Sequence, residues 1–388
     1  MKVYIYLFFC IFFLLTFFGC DDGNNNEVLS VFDIKPDIKE EVVFQEGTIQ
    51  KPTFRIPSII ISNKKTILLA CENRQSWEDR GEIDIVIARK RIGEIEWEKQ
   101  VLFEMNDGKG RTMNPIFLVD RESGRIYIFA SHFKDNTKYG YDHETSEFDL
   151  VYRYSDDDGL TWSEEISLKK YWDTTKYTGI SSSASNGIIT TNGVFLIPMI
   201  VIKNNKFYSC LLIKEIGKEW RFSSYTHNEW DNECTVYIDE QNRIILDCRT
   251  LESIRNKYVY DIKKDEFIQI ESDIIDSYVS IKAEITRCEW KGHIFYLMSY
   301  PDTRTGTREN LSLYGSIDGI HWKIVCCLQK GYNGLAYSNI AWYEDKVLVT
   351  YEIENSKSKN SIKVIDISNI MDDTIDLLFN NHVIQKNN

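Results

Sequence analysis

A turn that recurs along the chain constrains the fold more than any other feature of the sequence. Its full form, residues 155–162, has the pattern Ser-x-Asp-x-Gly-x-Thr-Trp, and residues 316–322 are a near copy that is one residue shorter. Residues 93–97 and 217–220 keep only the glycine and the tryptophan. Because each turn follows an apolar run, we expect one hairpin unit to be repeated around a ring.

Short alternating apolar runs dominate the chain, and long helical periodicity is absent from the sequence. The runs are bounded by turn signals such as Asn-Lys, Asp-Gly and Ser-Gly. Many short strands at regular spacing predict an all-β sandwich, barrel or propeller, and the repeated turn favours the propeller. The clearest predicted strands are residues 58–61, 66–70, 83–88, 125–129, 194–201, 207–213, 243–248, 294–298 and 346–352.

The first thirty residues predict a targeting segment that is not part of the folded domain. Lys2 precedes an uncharged run rich in phenylalanine, residues 3–19, which is typical of a secretory signal peptide. The following Cys20 resembles the lipidated cysteine of a bacterial lipobox, although Phe17 replaces the usual leucine. An uncleaved membrane anchor is the alternative, but the run is slightly short for a span.

We therefore predict three segments. Residues 1–19 would be a lipoprotein signal peptide, residues 20–30 a lipidated tether, and residues 31–388 one folded domain. The protein would be anchored to a bacterial membrane through its lipid and would face the periplasm or the cell surface.

Charge and cysteine content exclude several classes of partner. The formal net charge of −13 disfavours nucleic acid and anionic membrane surfaces. Beyond Cys10 and Cys20 there are seven cysteines, so at least one lacks an intramolecular partner, and we favour buried thiols on strands over a disulfide framework. Neither the cysteines nor the six histidines have the spacing of a zinc site, so no metal is expected.

Arg55 is the most informative single residue, in the sequence Phe54-Arg55-Ile56-Pro57. A residue before proline favours extended backbone, and proline cannot donate to a sheet ladder. We therefore expect Arg55 at the edge or mouth of a β-structure rather than within a packed strand. There its guanidinium could hold a carboxylate through two parallel hydrogen bonds.

An Arg-Ile-Pro motif followed by Ser-x-Asp-x-Gly-x-Thr-Trp turns, known as Asp-boxes, resembles the exo-α-sialidases (neuraminidases) of the bacterial and animal glycoside hydrolase superfamily. The resemblance implies a six-bladed β-propeller with four-stranded antiparallel blades. In an Asp-box, an aspartate would cap a glycine-containing hairpin turn and a tryptophan would pack behind it. We favour this structural interpretation over a metal or ligand site.

The resemblance assigns three arginines to the carboxylate of the substrate. Arg55 is the first. Arg249 is the second, because it follows Glu233 by 16 residues, as in the family's hairpin. Arg308, directly upstream of the second Asp-box, is the third, and Arg304 is the alternative to it.

The loop after the second predicted strand supplies the candidate acid/base. Asp79 stands where the family has its catalytic aspartate, and Glu78 is the next candidate. Arg74 matches a further arginine that lines the family's pocket, or it could be a surface salt-bridge partner. Trp77 is a possible wall of the pocket.

The resemblance also supplies a nucleophile and its supports. Tyr337, followed by a serine, matches the family's nucleophilic tyrosine, and Tyr332 is the alternative. Glu233 would be the base that activates it. Glu352 matches the glutamate that holds the first arginine in place.

These residue types suit one reaction. A sialoside carries a carboxylate on its anomeric carbon, which would repel a carboxylate nucleophile but not a neutral phenol. The resemblance implies an exo-sialidase that releases terminal sialic acid from glycans with retention, through a sialyl-tyrosine intermediate and without a metal or cofactor. We expect a monomer. The alternatives are a sialic-acid-binding propeller without turnover, and a trans-sialidase or a relative that prefers keto-deoxy sugars.

Overall fold

The computed structural model describes residues 36–79, 81–105, 110–133, 148–173, 175–251, 254–271, 280–301, 308–331, 335–355 and 358–380. All of them belong to the compact unit Phe32–Asn388. The predicted signal peptide and Cys20, as well as Arg304 and Tyr332, lie outside the described residues. No helix in the described part of the chain is long and apolar enough to cross a membrane.

Nearly all of the regular structure is β-strand, which confirms the predicted fold class. A 3₁₀ turn, Lys169–Tyr171, and a C-terminal α-helix, α1 (Ile370–Ile375), which continues as a π-helical turn over Asp376–Asn380, are the helical elements among the described residues. The predicted runs all fall on strands. The strands are β1 (Asp37–Gln45), β2 (Thr53–Ile61), β3 (Thr66–Arg74), β4 (Ile83–Arg91), β5 (Glu98–Phe103), β6 (Arg111–Val119), β7 (Ile126–Phe133), β8 (Phe148–Ser155), β9 (Ile166–Ser167), β10 (Gly179–Ser182), β11 (Ile188–Ile189), β12 (Phe195–Lys203), β13 (Lys206–Lys214), β14 (Arg221–Tyr225), β15 (Asn232–Ile238), β16 (Ile244–Arg249), β17 (Arg255–Asp261), β18 (Glu266–Ile270), β19 (Glu284–Trp290), β20 (His293–Pro301), β21 (Leu311–Ser316), β22 (Lys323–Gln329), β23 (Leu335–Tyr343), β24 (Lys346–Asn355) and β25 (Ser358–Ser368).

The strands form a β-propeller built from antiparallel sheets. Four sheets have the size of one blade: β1-β25-β24-β23, β10-β12-β13-β14 with β11 beside β12, β15-β16-β17-β18 and β19-β20-β21-β22. The fifth sheet contains eight strands, β2 to β9. The expected six separate blades are therefore not observed, because one parallel residue pair, Ile83 with Arg111, joins β4 to β6.

The first and last strands of the domain lie side by side. β1 pairs antiparallel with β25, from Asp37 opposite Ser368 to Gln45 opposite Ser361. The beginning of the described chain thus completes the sheet that the end of the chain forms. This pairing joins the two ends of the described domain in one sheet, in which β1 is the outermost strand.

The four recurring turns occupy equivalent places in the propeller. They join β4 to β5, β8 to β9, β13 to β14 and β21 to β22, which are antiparallel neighbours in each case. In the full Asp-box, Asp157 accepts a hydrogen bond from the backbone N–H of Thr161 at 2.8 Å. Gly159 has a φ of 81°, and a Cβ there would lie 2.3 Å from a methyl carbon of Leu68. These turns therefore stabilise hairpins, as the structural interpretation predicted.

The seven described cysteines all lie on strands, and no disulfide joins them to one another. Six of them are buried, which confirms the preferred interpretation of buried thiols. Cys327 is the exception, because its position in β22 faces the exterior.

Candidate active site

Three of the strands that contribute to the candidate site have a β-bulge at the residues concerned. The pairing register shifts at Ile56 and Pro57 in β2, at Glu233 in β15 and at Tyr337 in β23. A bulge bends its strand and re-aims the extra side chain, and bulges are common beside active sites. The backbone therefore turns residues from three different sheets toward one place.

The prediction for Arg55 was right about its place, because β2 is the outermost strand of its sheet, but wrong about the local backbone. β2 runs through both Arg55 and Pro57, because the bulge removes the proline from the hydrogen-bonded ladder. Ile56 is not extended but has a φ of 54°, which is a strained conformation for a β-branched residue. Glu352 holds this conformation, since its Oε2 accepts the N–H of Ile56 at 2.7 Å.

Tyr337 and Glu233 form the centre of the site. The phenol O–H of Tyr337 donates to Glu233 Oε1, and the guanidinium of Arg249 donates to Glu233 Oε2. Arg249 Nη1 also lies 3.2 Å from the phenol oxygen. Burial raises the pKa of Tyr337, Glu233 raises it further, and Arg249 and Arg55 oppose that increase. The phenol is therefore held neutral, with its proton directed at a carboxylate.

The predicted arginines approach the same space from different strands. Arg55 is fixed by an ion pair with Glu352 at 3.1 Å, and its guanidinium lies 4.3 Å from the centre of the Trp77 ring. Arg249 Nε donates to the hydroxyl of Ser280 at 2.8 Å, and Arg308 Nη2 lies 3.5 Å from the carbonyl oxygen of the same serine. Ser280 thus connects two of the three arginines.

Both buried arginines of this group remain charged. Burial lowers the pKa of Arg55 and of Arg249, but the neighbouring carboxylates and the phenol of Tyr337 outweigh it, so each pKa lies above its usual value. A cavity with several fixed cations is suited to an anionic ligand.

Asp79 lies in the loop between β3 and β4, as predicted, and its side chain is 50% exposed. Its Oδ1 accepts from Arg74 at 2.6 Å and lies 3.4 Å from Arg55 Nη1. Burial raises the pKa of Asp79, but Arg74 and Arg55 outweigh that effect and hold the pKa below its usual range. Without a ligand this carboxyl group is therefore ionised.

Arg74 is not a surface residue, so the salt-bridge alternative in that form was wrong. Its side chain has no exposed area, and it is paired with the equally buried Glu72. The guanidinium also donates to the backbone carbonyls of Trp77 and Glu78, at 3.3 and 3.1 Å. Arg74 therefore organises the loop that carries Asp79.

The predicted residues meet in one cavity of about 380 Å³. Glu352 is not part of its lining, because it lies fully buried behind Arg55. Glu78, the alternative to Asp79, is also absent from the lining. The predicted residues that line the cavity are Arg55, Arg74, Trp77, Asp79, Glu233, Arg249, Arg308 and Tyr337.

Sequence reasoning missed part of the cavity wall. On β12 and β13 an apolar cluster, Ile200, Ile202 and Phe207, lines one side. Apolar side chains alternate here as they do in any core strand, so no local signal in the sequence marks these residues as part of a site. The other missed residues are Ile56, Arg111, Met113, Asn114, Phe133, Ser181 and Asn232.

One signal was present in the sequence, because Asn114-Pro115 repeats the geometry of Ile56-Pro57. Asn114 has a φ of 55°, and its N–H donates to Glu72 at 2.7 Å, as that of Ile56 does to Glu352. Each glutamate also binds an arginine of the cavity. A second X-Pro pair at the corresponding place of another strand could have identified Asn114.

The donor atoms in this cavity do not resemble a metal centre. Among the described residues, no group of three or more histidine, cysteine, aspartate or glutamate side chains could hold a metal ion. The carboxylates here are instead paired with arginines, which compete with a cation for the same oxygens.

Comparison with known proteins gives relatives of one kind. The chain is 27% identical to a sialidase of Clostridium perfringens over 214 residues, which are 50% of this chain and 55% of that protein. It is 22% identical to a sialidase of Bacteroides fragilis over 355 residues, which are 84% of this chain and 64% of that protein. The chain thus spans between half and two thirds of the length of these relatives.

Solved structures show the same fold. The complex of Trypanosoma rangeli sialidase with sialic acid superposes with a TM-score of 0.75 at 15% identity, over 87% of this chain and 60% of that one. A Hadza microbial sialidase superposes with a TM-score of 0.71 at 19% identity, over 82% and 66% of the two chains. The family model for the BNR repeat-like domain matches residues 66–349. The chain therefore belongs to the BNR repeat-like domain family, within which its relatives are sialidases.

Proposed function

We propose that the protein is an exo-α-sialidase that hydrolyses terminal α-linked sialic acid from glycoconjugates. One observation carries the proposal: the hydrogen bond from Tyr337 to Glu233, in a cavity that Arg55, Arg249 and Arg308 also line. The relatives named as sialidases support it, although the chain spans only part of their length.

Binding would use the fixed cations of the cavity. The carboxylate of the sialic acid would bind Arg55, Arg249 and Arg308, since guanidinium groups hold a carboxylate through paired hydrogen bonds. Ion pairs of Arg55 with Glu352 and of Arg249 with Glu233 fix these two cations before the ligand arrives. This preorganisation favours binding of the anion, because little side-chain freedom is then lost.

The reaction would proceed in two displacements with retention. Asp79 gives its proton to the leaving oxygen, while Glu233 takes the proton of Tyr337 and the phenolate oxygen bonds to the anomeric carbon. Asp79 then removes a proton from water, which attacks the sialyl-tyrosine and releases the sugar, and Tyr337 regains its proton. A neutral phenol is suited to this site, because it is not repelled by the substrate's carboxylate.

Asp79 must become protonated before it can act as the acid, and the substrate itself would cause this change. The bound carboxylate places a negative charge near Asp79 and also engages Arg55, one of the two cations that hold its pKa low. Both effects favour the neutral form of Asp79.

Two alternatives differ from this proposal in testable ways. A sialic-acid-binding propeller would not require the Tyr337–Glu233 pair and would show no turnover. Transfer to a sugar acceptor, or preference for a keto-deoxy sugar, has no specific support in the cavity. Among the structural neighbours, a mutant of Trypanosoma rangeli sialidase displays trans-sialidase activity.

The test is incubation with sialyllactose while proton NMR follows the first anomer released. We expect free sialic acid to appear first as the α-anomer and to mutarotate later, because two displacements retain configuration. Tyr337→Phe is the matched control and should release none on the same timescale. No release by the wild-type protein, or first release of the β-anomer, would contradict the proposal.

We also propose that Cys20 is lipidated and that the mature protein is anchored to a bacterial membrane as a monomer. The support is the sequence of residues 2–20. Expression of the full chain in a bacterium, with a clickable fatty acid, should label the wild-type protein and not Cys20→Ala. Equal labelling of the two proteins would contradict the anchor, and a dimer in detergent would contradict the monomer.

Finally, we propose that the eight-stranded sheet represents two blades, which would give six in total. The support is that the two four-stranded halves share only the pair Ile83–Arg111. A crystal structure in which the pairing of β4 and β6 extends further would contradict this division.

A further inference from the structure

A buried polar layer lies next to the catalytic strand β23, at residues for which the proposed mechanism has no use. Glu284 accepts from the backbone N–H of Asn186 at 3.0 Å and from the side-chain amide of Asn339 at 3.1 Å. Asn186 in turn donates to Asn339 at 3.1 Å. Asn186 and Glu284 also line a second cavity, of about 900 Å³, which shares no residue with the site cavity. The layer therefore borders a different cavity from the one that would bind the substrate.

Lys282 is the cation of this layer, and its side chain has no exposed area. Its ammonium group forms an ion pair with Glu284 at 3.1 Å and donates to the carbonyl oxygen of Ser338 at 2.9 Å. Burying such a pair costs free energy that a pair of apolar side chains would not. Ser338 directly follows Tyr337, so the ammonium group holds the end of the bulge that aims the nucleophile.

The positive charge of Lys282 also interacts electrostatically with the glutamates of the site. Burial lowers its pKa, and Glu284, Glu233 and Glu352 oppose that decrease, so its positive charge lies within electrostatic reach of both site glutamates. Charged and titratable groups surround Lys282 and the glutamates near it. They lie on β2, β15, β16, β19, β23 and β24. They are Glu284, Arg55, Glu233, Arg249, Tyr337 and Glu352.

We propose that Lys282 is a positioning residue for the reaction, which fixes the bulge of β23, and with it Tyr337, through the carbonyl oxygen of Ser338. The inference rests on the proposed function. Lys282 touches no substrate and acts only through Tyr337.

The test begins with Lys282→Met, which removes the charge and the hydrogen bond but keeps the length of the side chain. We expect kcat to fall about tenfold or more, because a slightly displaced nucleophile is costly, whereas KM changes little.

The chain offers a matched control in Lys257, which is also buried. It pairs with Asp247 at 3.2 Å and donates to a backbone carbonyl, that of Gly319, at 2.9 Å. Lys257 does not line the site cavity. Lys257→Met should therefore lower the Tm as Lys282→Met does, but should leave kcat unchanged. An equal fall in kcat in the two variants would mean that Lys282 is merely structural, which would overturn the inference.

If Lys282→Met does not fold, because Glu284 is left as an unpaired buried charge, the double variant Lys282→Met with Glu284→Gln removes that charge. We expect it to fold and still to lose kcat, since no donor remains for Ser338. A folded double variant with wild-type kcat would overturn the inference. If the wild-type protein turns over substrate and the Lys282 variants have the same kcat, this inference alone is wrong. If the wild-type protein shows no turnover, the proposed function is wrong as well.

Discussion

The two halves of the candidate site are built differently. In the half that holds the proposed nucleophile, Tyr337, Glu233 and Arg249 lie on strands, and the first two are each 8% exposed. In the half that holds the proposed acid, Asp79 lies on a loop, is 50% exposed and is held by Arg74. The first half is fixed by strand pairing, of β15 with β16 and of β23 with β24, and the second by the contacts of one loop.

The difference follows from what each half must do. A phenol needs a fixed base at hydrogen-bond distance, and burial strengthens that interaction by excluding water. An acid/base residue must exchange its proton in each cycle and must tolerate substrates of different size, which favours a loop that solvent reaches. The following predictions test whether the halves differ in this way.

The largest effect is expected at the nucleophile. Tyr337→Phe and Glu233→Ala should each lower kcat by about 10³-fold or more, and the double variant should lose little further, because the two residues act as a unit. Tyr296→Phe is a matched control, since this tyrosine is fully buried but outside the cavity. Near wild-type turnover by Tyr337→Phe would contradict the assignment and direct attention to Tyr332.

The acid half should respond to the leaving group instead. Asp79→Ala should lower the hydrolysis of sialyllactose by about 10²-fold or more, because a sugar hydroxyl leaves poorly without a proton. An aryl sialoside, whose phenolate leaves readily, should lose far less. Parallel kcat/KM measurements on both substrates check this. Equal losses would mean that Asp79 only orders the loop, and Glu78→Ala should then be compared.

Replacement of Arg308, the third predicted arginine, is expected to lower the affinity for the substrate. Arg308→Lys keeps the charge but loses the forked donor geometry, so KM should rise about tenfold, which corresponds to about 1.4 kcal/mol. Arg304→Lys is the control and should leave KM near the wild-type value. The reverse pattern would show that Arg304 is the third arginine of the site.

The smallest effect concerns stability. The folded-state pKa of Asp79 is lowered, so the group stabilises the fold above its unfolded-state pKa, near 4, and this contribution is lost as the pH falls through the folded-state value. Because Asp79 is half exposed, we expect Asp79→Asn to cost less than about 1 kcal/mol at pH 7 and nothing near pH 2. Urea unfolding at both pH values checks this, with Glu78→Gln as the control. A cost that persists unchanged at low pH would contradict the ion-pair explanation.

Much of the fold could be predicted because its signals are local. The glycine and tryptophan of residues 93–97 and 217–220 marked hairpins that the structure contains, and alternation marked the strands. The separation of blades could not be predicted in the same way. The pair Ile83–Arg111 joins β4 to β6, which β5 separates along the chain, and no local pattern encodes such a contact.

The residues of the site also divide into those with a local sequence signal and those without one. Arg55 and Glu233 were found because a motif and a spacing carry them. The bulge at Tyr337 was not foreseen, because one extra residue in a strand leaves no trace in its alternation. Lys282 was missed because a single lysine in a polar segment usually indicates a solvated surface, and only tertiary packing shows that it is buried.

The central claim is that the buried half of the site forms a covalent bond through Tyr337. The Trypanosoma rangeli sialidase has been solved with 2,3-difluorosialic acid as a covalent intermediate. Treatment of this protein with the same reagent, followed by peptide mass spectrometry, measures the bond directly. The account predicts one sialyl adduct on the peptide that contains Tyr337 and none in Tyr337→Phe. An adduct on another residue, or none in protein that turns over sialosides, would contradict it.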